Sequence, residues 1–129
     1  MKPRLLLVDD EETILFAMQY YFATFGYEAD CARNTQEAQA LLSEGAYAVL
    51  ITDLRLTGSD DTNGLGIARF ALQRYPSLRS ILLTAYGTPE IEKLARDSGI
   101  SVCLSKPRPL DEIMEIVSEL LEGPSSVPL

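Results

Sequence analysis

Polar side chains that could carry out chemistry come at the ends of four short apolar runs. Asp9 and Asp10 follow LLLV, Asp53 follows VLIT, Thr84 closes SILLT, and Lys106 comes two positions after SVCL. A carboxylate nucleophile, a lysine, a hydroxyl and a metal held by oxygen ligands are the usual groups for phosphoryl transfer. That chemistry requires a fold that brings these side chains together.

The apolar runs alternate with segments of helical period along the whole chain, a pattern typical of a parallel sheet wrapped by helices. We predict an α/β fold with a doubly wound, five-stranded parallel sheet in the order 2-1-3-4-5 and helices on both faces. The predicted strands are Leu5–Val8, Tyr27–Ala32, Ala48–Thr52, Ser80–Thr84 and Ile100–Leu104. The predicted helices are Thr13–Phe25, a second from the N-cap Asn34 to about Gly45, Gly64–Tyr75, Pro89–Ser98 and Leu110–Leu121.

The first predicted helix has an apolar face formed by Ile14, Met18, Phe22 and Phe25, and Gly26 is a natural C-cap for it. We expect the apolar face of Leu15, Met18 and Phe22 to pack in the core. Exposed members of that face would instead indicate a dimer face, so a homodimer is left open.

Ligands of open α/β sheets bind beyond the carboxyl ends of the strands, where the strand order reverses. Asp9, Asp10 and Asp53 would therefore meet at one site. Two unit charges 4 Å apart repel by about 1 kcal/mol in water and about 4 kcal/mol near a protein surface. Either one carboxylate is protonated, with a raised pKa, or a hard divalent cation, Mg²⁺ or Mn²⁺, binds the oxygen ligands. Lys106 would add a fixed positive charge.

The amino-acid composition argues against several classes of binding partner. The net charge is −8, from 19 acidic and 11 basic residues, which argues against binding nucleic acid or an anionic membrane. No apolar run reaches the roughly 18 residues of a membrane span. Cys31 and Cys103 lack metal-ligand spacing, so we expect buried reduced thiols and a cytoplasmic protein. Because the chain contains no histidine, any imidazole must come from a partner.

Five segments, in order along the chain, resemble receiver domains of two-component response regulators. They are LLLVDDEE with Asp9 and Asp10, VLITD with Asp53, Gly64 at the start of the next helix, LLTA with Thr84, and SKP with Lys106 and Pro107. The resemblance spans residues 3–121 and implies a flavodoxin-like fold similar to that of chemotaxis-type receivers.

The resemblance also implies a role for each matching residue. Asp53 would be the phosphoacceptor, Lys106 would pair with the phosphoryl group, and Thr84 would turn its hydroxyl towards it. Asp10, Asp53 and the main-chain carbonyl of Arg55 would ligate Mg²⁺, with Asp9 acting through water. The Lys106–Pro107 peptide bond is expected to be cis.

In such a system the phosphoryl donor is a sensor histidine kinase or a phosphotransfer protein, and the receiver controls an output domain or protein. We expect residues 1–122 to form the receiver domain and residues 123–129 to be a tail or the start of a linker. The domain would act as a switch that catalyses its own phosphorylation and dephosphorylation, rather than as a metabolic enzyme.

Two features depart from the family pattern. Cys103 occupies a position that is usually aromatic, so any switching would run through Thr84 and the fourth helix. The loop from Leu54 to Asn63 is longer than expected, and it contains Arg55, which could contact the phosphoryl group.

Two other functions are compatible with parts of the pattern. A pseudo-receiver would signal without phosphorylation, and Cys103 and the long loop favour it. The segment DLRLT, which begins at Asp53, partly matches the DxDxT motif of aspartate-nucleophile phosphatases, but Arg55 replaces the second aspartate.

Overall fold

The computed structural model describes residues 3–54, 63–85 and 87–122, with five strands and five helices in strict alternation. The strands are β1 (Arg4–Val8), β2 (Glu28–Ala32), β3 (Val49–Asp53), β4 (Arg79–Thr84) and β5 (Val102–Ser105). The helices are α1 (Glu12–Thr24), α2 (Thr35–Glu44), α3 (Asn63–Arg74), α4 (Pro89–Asp97) and α5 (Leu110–Glu122). All ten predicted elements are present, and their ends differ from the predictions by at most two residues.

The strands form one parallel sheet in the order β2-β1-β3-β4-β5, which confirms the predicted order. Val8 pairs with Thr52, Asp53 with Leu83, and Thr84 with Ser105. This register brings the carboxyl ends of β1, β3, β4 and β5 to one edge of the sheet.

The core has two layers because successive side chains of a strand point to opposite faces. Leu5 and Leu7 of β1 pack under α1 and α5, whereas Leu6 and Val8 pack under α2, α3 and α4. Both faces of β1 and β3 are fully covered, as expected of central parallel strands.

Local sequence signals explain several helix ends. Asn34 Oδ1 accepts a hydrogen bond from Glu37 N at 2.9 Å, and Glu37 Oε1 accepts one from Arg33 N at 2.8 Å, so the predicted N-cap of α2 is confirmed. Gly26 has a φ of +90°, a left-handed conformation that suits glycine just after α1.

The predicted core residues of α1 are confirmed, but the helix ends one residue earlier than predicted. Phe25, the last residue of the predicted helix, is 59% exposed. The helix ends at Thr24, and Phe25 is the C-cap with φ −100° and ψ 11°, so its side chain leaves the apolar face that the helical period predicts. The buried residues of α1 are Leu15, Met18 and Phe22.

Candidate functional site

The sheet brings the carboxyl ends of β1, β3 and β5 together in an acidic cluster, which among the described residues is contacted by the cation of Lys106. Asp9, Asp10 and Asp53 each offer a carboxylate oxygen, and these oxygens all lie within 4.8 Å of one another. Lys106 Nζ lies 3.2 Å from Asp9 Oδ2 and 3.2 Å from Asp53 Oδ2. The predicted meeting of these residues is therefore correct, although 97 positions separate Asp9 from Lys106.

Backbone hydrogen bonds that continue the strand ladders hold these side chains in place. Leu54 N donates to Leu83 O at 2.9 Å, which extends β3 past Asp53. Lys106 N donates to Thr84 O at 2.8 Å, which extends β5 past its last residue. The Lys106–Pro107 peptide bond is cis, as the family resemblance predicts.

Asp9 is the most deeply buried carboxylate of the cluster, with a residue exposure of 1%. Its Oδ1 accepts a hydrogen bond from Glu11 N at 2.9 Å, and its Oδ2 contacts Lys106. The first contact is an Asx turn that leads into α1. This backbone donor was not predicted, although an aspartate three residues before the first residue of a helix can indicate it.

The surroundings of Asp53, at the end of β3, destabilise the ionised form of its carboxyl group. Burial raises the pKa of its carboxyl group, the pairing with Lys106 opposes that rise, and the charges of Asp9 and Asp10 add to it. The net direction of the pKa is upward, which is one of the two alternatives that the clustering of carboxylates predicts. Its side chain is 14% exposed, so a reactant can still reach it.

Lys106 remains protonated at neutral pH. Burial alone would lower the pKa of its ammonium group, but the charges and hydrogen bonds of Asp9 and Asp53 outweigh burial and raise it. Among the described residues, Lys106 is the cation that contacts the cluster, and it is shared between Asp9 and Asp53.

Gly64 brings α3 close to Asp53. A Cβ atom added at Gly64 would overlap the Asp53 carbonyl oxygen, and Gly64 N donates to Leu54 O at 3.0 Å. The Asp53 carbonyl also accepts a hydrogen bond from Thr52 Oγ1 at 3.0 Å. The sequence predicts Gly64 only as the start of a helix, and no local pattern indicates the hydrogen bond of Thr52 or this close approach.

Thr84 is buried at the end of β4, at the same edge of the sheet as Asp53. Arg55, most of the long loop, and the tail after Glu122 lie outside the described residues. The roles predicted for Arg55 therefore stay predictions.

The two cysteines are free and half-buried. Burial raises the pKa of both thiols, so they are poor nucleophiles at neutral pH. Cys103 packs against the core layer that α4 covers.

The chemistry of the cluster fits a hard divalent cation. Its ligands are all oxygen atoms, and carboxylates at such spacing suit Mg²⁺ or Mn²⁺ better than a softer metal. In the described residues no helix is both long and apolar enough to cross a membrane.

This fold and this cluster define a class of protein. The chain belongs to the response regulator receiver domain family, whose model matches residues 5–118. It is a receiver domain of the two-component type, and receiver domains are signalling switches.

Relatives of known name support the same assignment. The response regulator protein PilR of Pseudomonas aeruginosa is 30% identical over 120 residues, which cover 93% of this chain and 26% of PilR. The photosynthetic apparatus regulatory protein RegA of Cereibacter sphaeroides is 32% identical over 124 residues, which cover 96% of this chain and 65% of RegA. The chain thus spans about a quarter of PilR and just under two thirds of RegA.

A CheY-like response regulator receiver domain protein from Methanospirillum hungatei has the same fold. The two structures superpose with a TM-score of 0.87 at 23% identity, over 98% of this chain and all of the other. Neither the phosphatase nor the pseudo-receiver interpretation gains support from these matches.

Proposed function

We propose that Asp53 accepts a phosphoryl group from a phosphohistidine on a sensor histidine kinase or a phosphotransfer protein. The observation that carries this proposal is the position of Asp53: nearly buried, at a strand end, with Lys106 Nζ 3.2 Å from its Oδ2. The absence of histidine from the chain supports a donor on another protein.

The proposed step is an in-line displacement at phosphorus. A carboxylate oxygen of Asp53 forms a bond to phosphorus while the bond between phosphorus and the donor imidazole nitrogen breaks. The products are an acyl phosphate on Asp53 and a free histidine on the donor. Lys106 stabilises the added negative charge, and the Thr84 hydroxyl donates a hydrogen bond to a phosphoryl oxygen.

The acidic cluster would bind Mg²⁺, or Mn²⁺ in its place. Its ligands would be Asp10, Asp53 and the main-chain carbonyl of Arg55, with Asp9 acting through water. The cation would neutralise part of the charge on the phosphoryl oxygens. The carboxylate spacing and the all-oxygen ligand set support this assignment.

A groove beside Lys106 offers the donor a way to Asp53. It has a volume of about 370 Å³, lies between α1 and α5, and is mostly apolar at Ile14, Leu83 and Ile113. An apolar donor helix resting there would bring its phosphohistidine to the edge of the sheet that carries Asp53.

Phosphorylation would switch the domain. It adds about −1.5 to −2 charge beside Lys106 and would draw Lys106 and Thr84 towards the phosphoryl oxygens. This would shift a pre-existing equilibrium of the α4 face. Because Cys103 replaces the usual aromatic residue, the shift would not depend on an aromatic rotamer.

The proposed setting follows from this partner. Residues 1–122 would act as the receiver, and residues 123–129 as a tail or the start of a linker to an output domain. A histidine kinase donor and the free cysteines favour the cytoplasm. Hydrolysis of the acyl phosphate at the same site would reset the switch.

The intact mass of the protein after incubation with acetyl phosphate tests this proposal. We expect a gain of one phosphoryl group that requires Mg²⁺ and is absent in Asp53→Asn. The matched control is Asp97→Asn, which removes an exposed carboxylate of α4 and should leave the gain unchanged. A gain in Asp53→Asn equal to that of the wild type would refute the proposal.

A further inference from the structure

The outer face of α1 differs from the rest of the protein surface. Among the described residues, the large hydrophobic side chains that are exposed are Phe16 at 56%, Tyr20 at 78% and Phe25 at 59%, and all three belong to α1 or its C-cap. Phe16 and Tyr20 are four residues apart and therefore lie on one side of the helix. With Thr13, Ala23 and Thr24 they form what we call the aromatic face, which is exposed along its length.

The five residues of the aromatic face are themselves uncharged. Glu12, four residues before Phe16 and therefore on the same side of the helix, is the single charged residue of α1, and its Oε2 pairs with Arg33 Nη1 at 3.2 Å. The Thr24 hydroxyl donates to the carbonyl oxygens of Tyr20 and Tyr21 at 3.0 and 2.7 Å, so this polar group is already satisfied within the helix. For three turns the helix presents aromatic rings and small side chains to solvent.

The neighbouring helix has the opposite character. The exposed side of α5 carries five carboxylates and no basic residue within the helix: Asp111, Glu112, Glu115, Glu119 and Glu122. Two copies that met through α5 would bring these charges together. Since each copy has a net charge of −8, an uncharged face is where two copies can approach with least repulsion.

We propose that the aromatic face is a self-association surface on which the α1 helices of two copies pack antiparallel about a two-fold axis. In such an isologous contact, Phe16 of one copy packs on Tyr20 of the other, and Tyr20 of the first packs on Phe16 of the second. Paired aromatic rings contribute beyond the area that they bury. The proposal does not depend on phosphoryl transfer.

Charge at the start of α1 selects the antiparallel arrangement. Parallel helices would bring Asp10, Glu11 and Glu12 of both copies side by side. Antiparallel helices separate them by about the length of α1, which at 13 residues is about 20 Å. That distance exceeds the Debye length of about 8 Å at physiological salt, so the repulsion is screened.

The dimer is expected to be weak. Stable interfaces bury at least about 1,200 Å² in total, and one pair of 13-residue helices is a small contact by that standard. The association is apolar and is opposed by the like net charges of the two copies, so added salt, which screens those charges, should strengthen it. An interface made of ion pairs would instead be weakened by added salt.

Sedimentation velocity of the 129-residue chain, over a concentration series up to about 1 mM, tests the proposal. We expect the sedimentation coefficient of the wild type to rise with concentration, and to rise further in added salt. Phe16→Lys and Tyr20→Glu should each remain monomeric. Mixed in equal amounts they should associate, because the new lysine and glutamate face each other across the two-fold axis.

Phe25→Ser is the matched control. Phe25 is exposed to a similar degree but stacks on Tyr21, 5.1 Å between ring centroids, and lies off the aromatic face. Its replacement should leave the association unchanged. The proposal is overturned if the wild type stays monomeric throughout, if Phe25→Ser disrupts association as much as Phe16→Lys, or if the mixture of charged variants does not associate.

Discussion

Lys106 and Asp53 form an ion pair at the edge of the sheet, with 3.2 Å between Nζ and Oδ2. Even with this partner, the environment of Asp53 raises its pKa, because burial and the charges of Asp9 and Asp10 outweigh the lysine. The site therefore holds a carboxylate whose negative charge is destabilised in the folded protein. Any added positive charge would therefore stabilise the ionised carboxylate of Asp53.

Replacing Asp53 with asparagine is predicted to stabilise the protein when no divalent cation is present. The folded-state pKa of Asp53 lies above the unfolded value of about 3.9, so folding favours the protonated carboxyl group. Ionised Asp53 then costs stability as the pH rises from that value through the raised folded-state pKa, and the cost persists at higher pH. Asparagine carries no charge at any of these pH values, so the substitution removes this cost in stability.

Thermal unfolding of wild type and Asp53→Asn across pH 4 to 8, with chelator present, measures this effect. The variant should melt at a higher temperature near neutral pH, and the difference should shrink towards the acidic end. Adding Mg²⁺ should stabilise the wild type more than the variant. A variant that melts below the wild type at neutral pH would contradict the assigned electrostatics.

Lys106→Met is predicted to weaken the fold while raising the affinity for Mg²⁺. The substitution leaves Asp9 and Asp53 without their cation, and loss of one partner from a partly buried pair costs about 1–3 kcal/mol at such a site. The same loss removes a positive charge that competes with the metal. Phosphoryl uptake from acetyl phosphate should fall at least about tenfold, because each 1.4 kcal/mol of lost stabilisation is a factor of ten.

Denaturant unfolding and calorimetric titration with Mg²⁺ measure the two effects of Lys106→Met. The control is Lys93→Met, which removes an exposed lysine paired with Asp97 and should cost at most about 0.5 kcal/mol. Unchanged Mg²⁺ affinity in Lys106→Met would argue against a shared site for the lysine and the metal.

Gly64 and Gly66 offer a matched pair of substitutions in α3. A methyl group at Gly64 would overlap the Asp53 carbonyl oxygen, whereas at Gly66 it would meet no atom within 4 Å. Gly64→Ala should therefore destabilise the protein by about 1–3 kcal/mol and slow phosphoryl uptake. Gly66→Ala should stabilise it by about 0.5–1 kcal/mol, because alanine favours a helix. Equal effects of the two substitutions on the free energy of unfolding would show that α3 does not approach Asp53 closely.

Much of this arrangement was predictable from sequence, because each element has a local cause. Asn34 marks the start of α2 and Gly26 the end of α1, and apolar runs of strand length predict the sheet. The strand order follows from the alternation of strands and helices, which leaves few topologies for a parallel sheet. Asp9, Asp10 and Asp53 are predicted to meet because each follows a central strand.

The features that could not be predicted from the sequence depend on tertiary packing. Phe25 follows the helical period but lies one residue beyond the helix, so periodicity alone places it wrongly. The hydrogen bond from Glu11 N to Asp9 Oδ1 was not predicted either, because it forms only in the turn between β1 and α1. The close approach of Gly64 to the Asp53 carbonyl likewise exists only once α3 has docked on the sheet.

Tyr47 anchors the opposite end of the sheet and predicts a sensitivity to alkaline pH. Its hydroxyl donates to Asp30 Oδ2 at 2.6 Å, and the Arg4 guanidinium stacks 4.7 Å from its ring centroid and pairs with Asp30 at 2.8 Å. Burial, followed by the hydrogen bond to Asp30, raises the pKa of the phenol. The stabilisation is therefore complete below the unfolded value of about 10 and is lost as the pH rises towards the folded-state pKa.

Tyr47→Phe should lower the free energy of unfolding by about 1 kcal/mol at neutral pH, and the difference from the wild type should shrink above about pH 10. Urea unfolding at a series of pH values measures both. Tyr20→Phe removes the hydroxyl of an exposed tyrosine and serves as the control. If the loss in Tyr47→Phe does not change with pH, the hydrogen bond to Asp30 is not what the phenol contributes.

The chemical identity of the phosphorylated residue is the most direct test of the account. Borohydride reduces an acyl phosphate to an alcohol, so treatment of the phosphorylated protein marks the acceptor carboxylate permanently for peptide mapping by mass spectrometry. We expect an alcohol at position 53 and unmodified side chains at Asp9 and Asp10. Reduction at Asp9 or Asp10, or at a carboxylate away from the acidic cluster, would contradict the assignment of Asp53 as the phosphoacceptor.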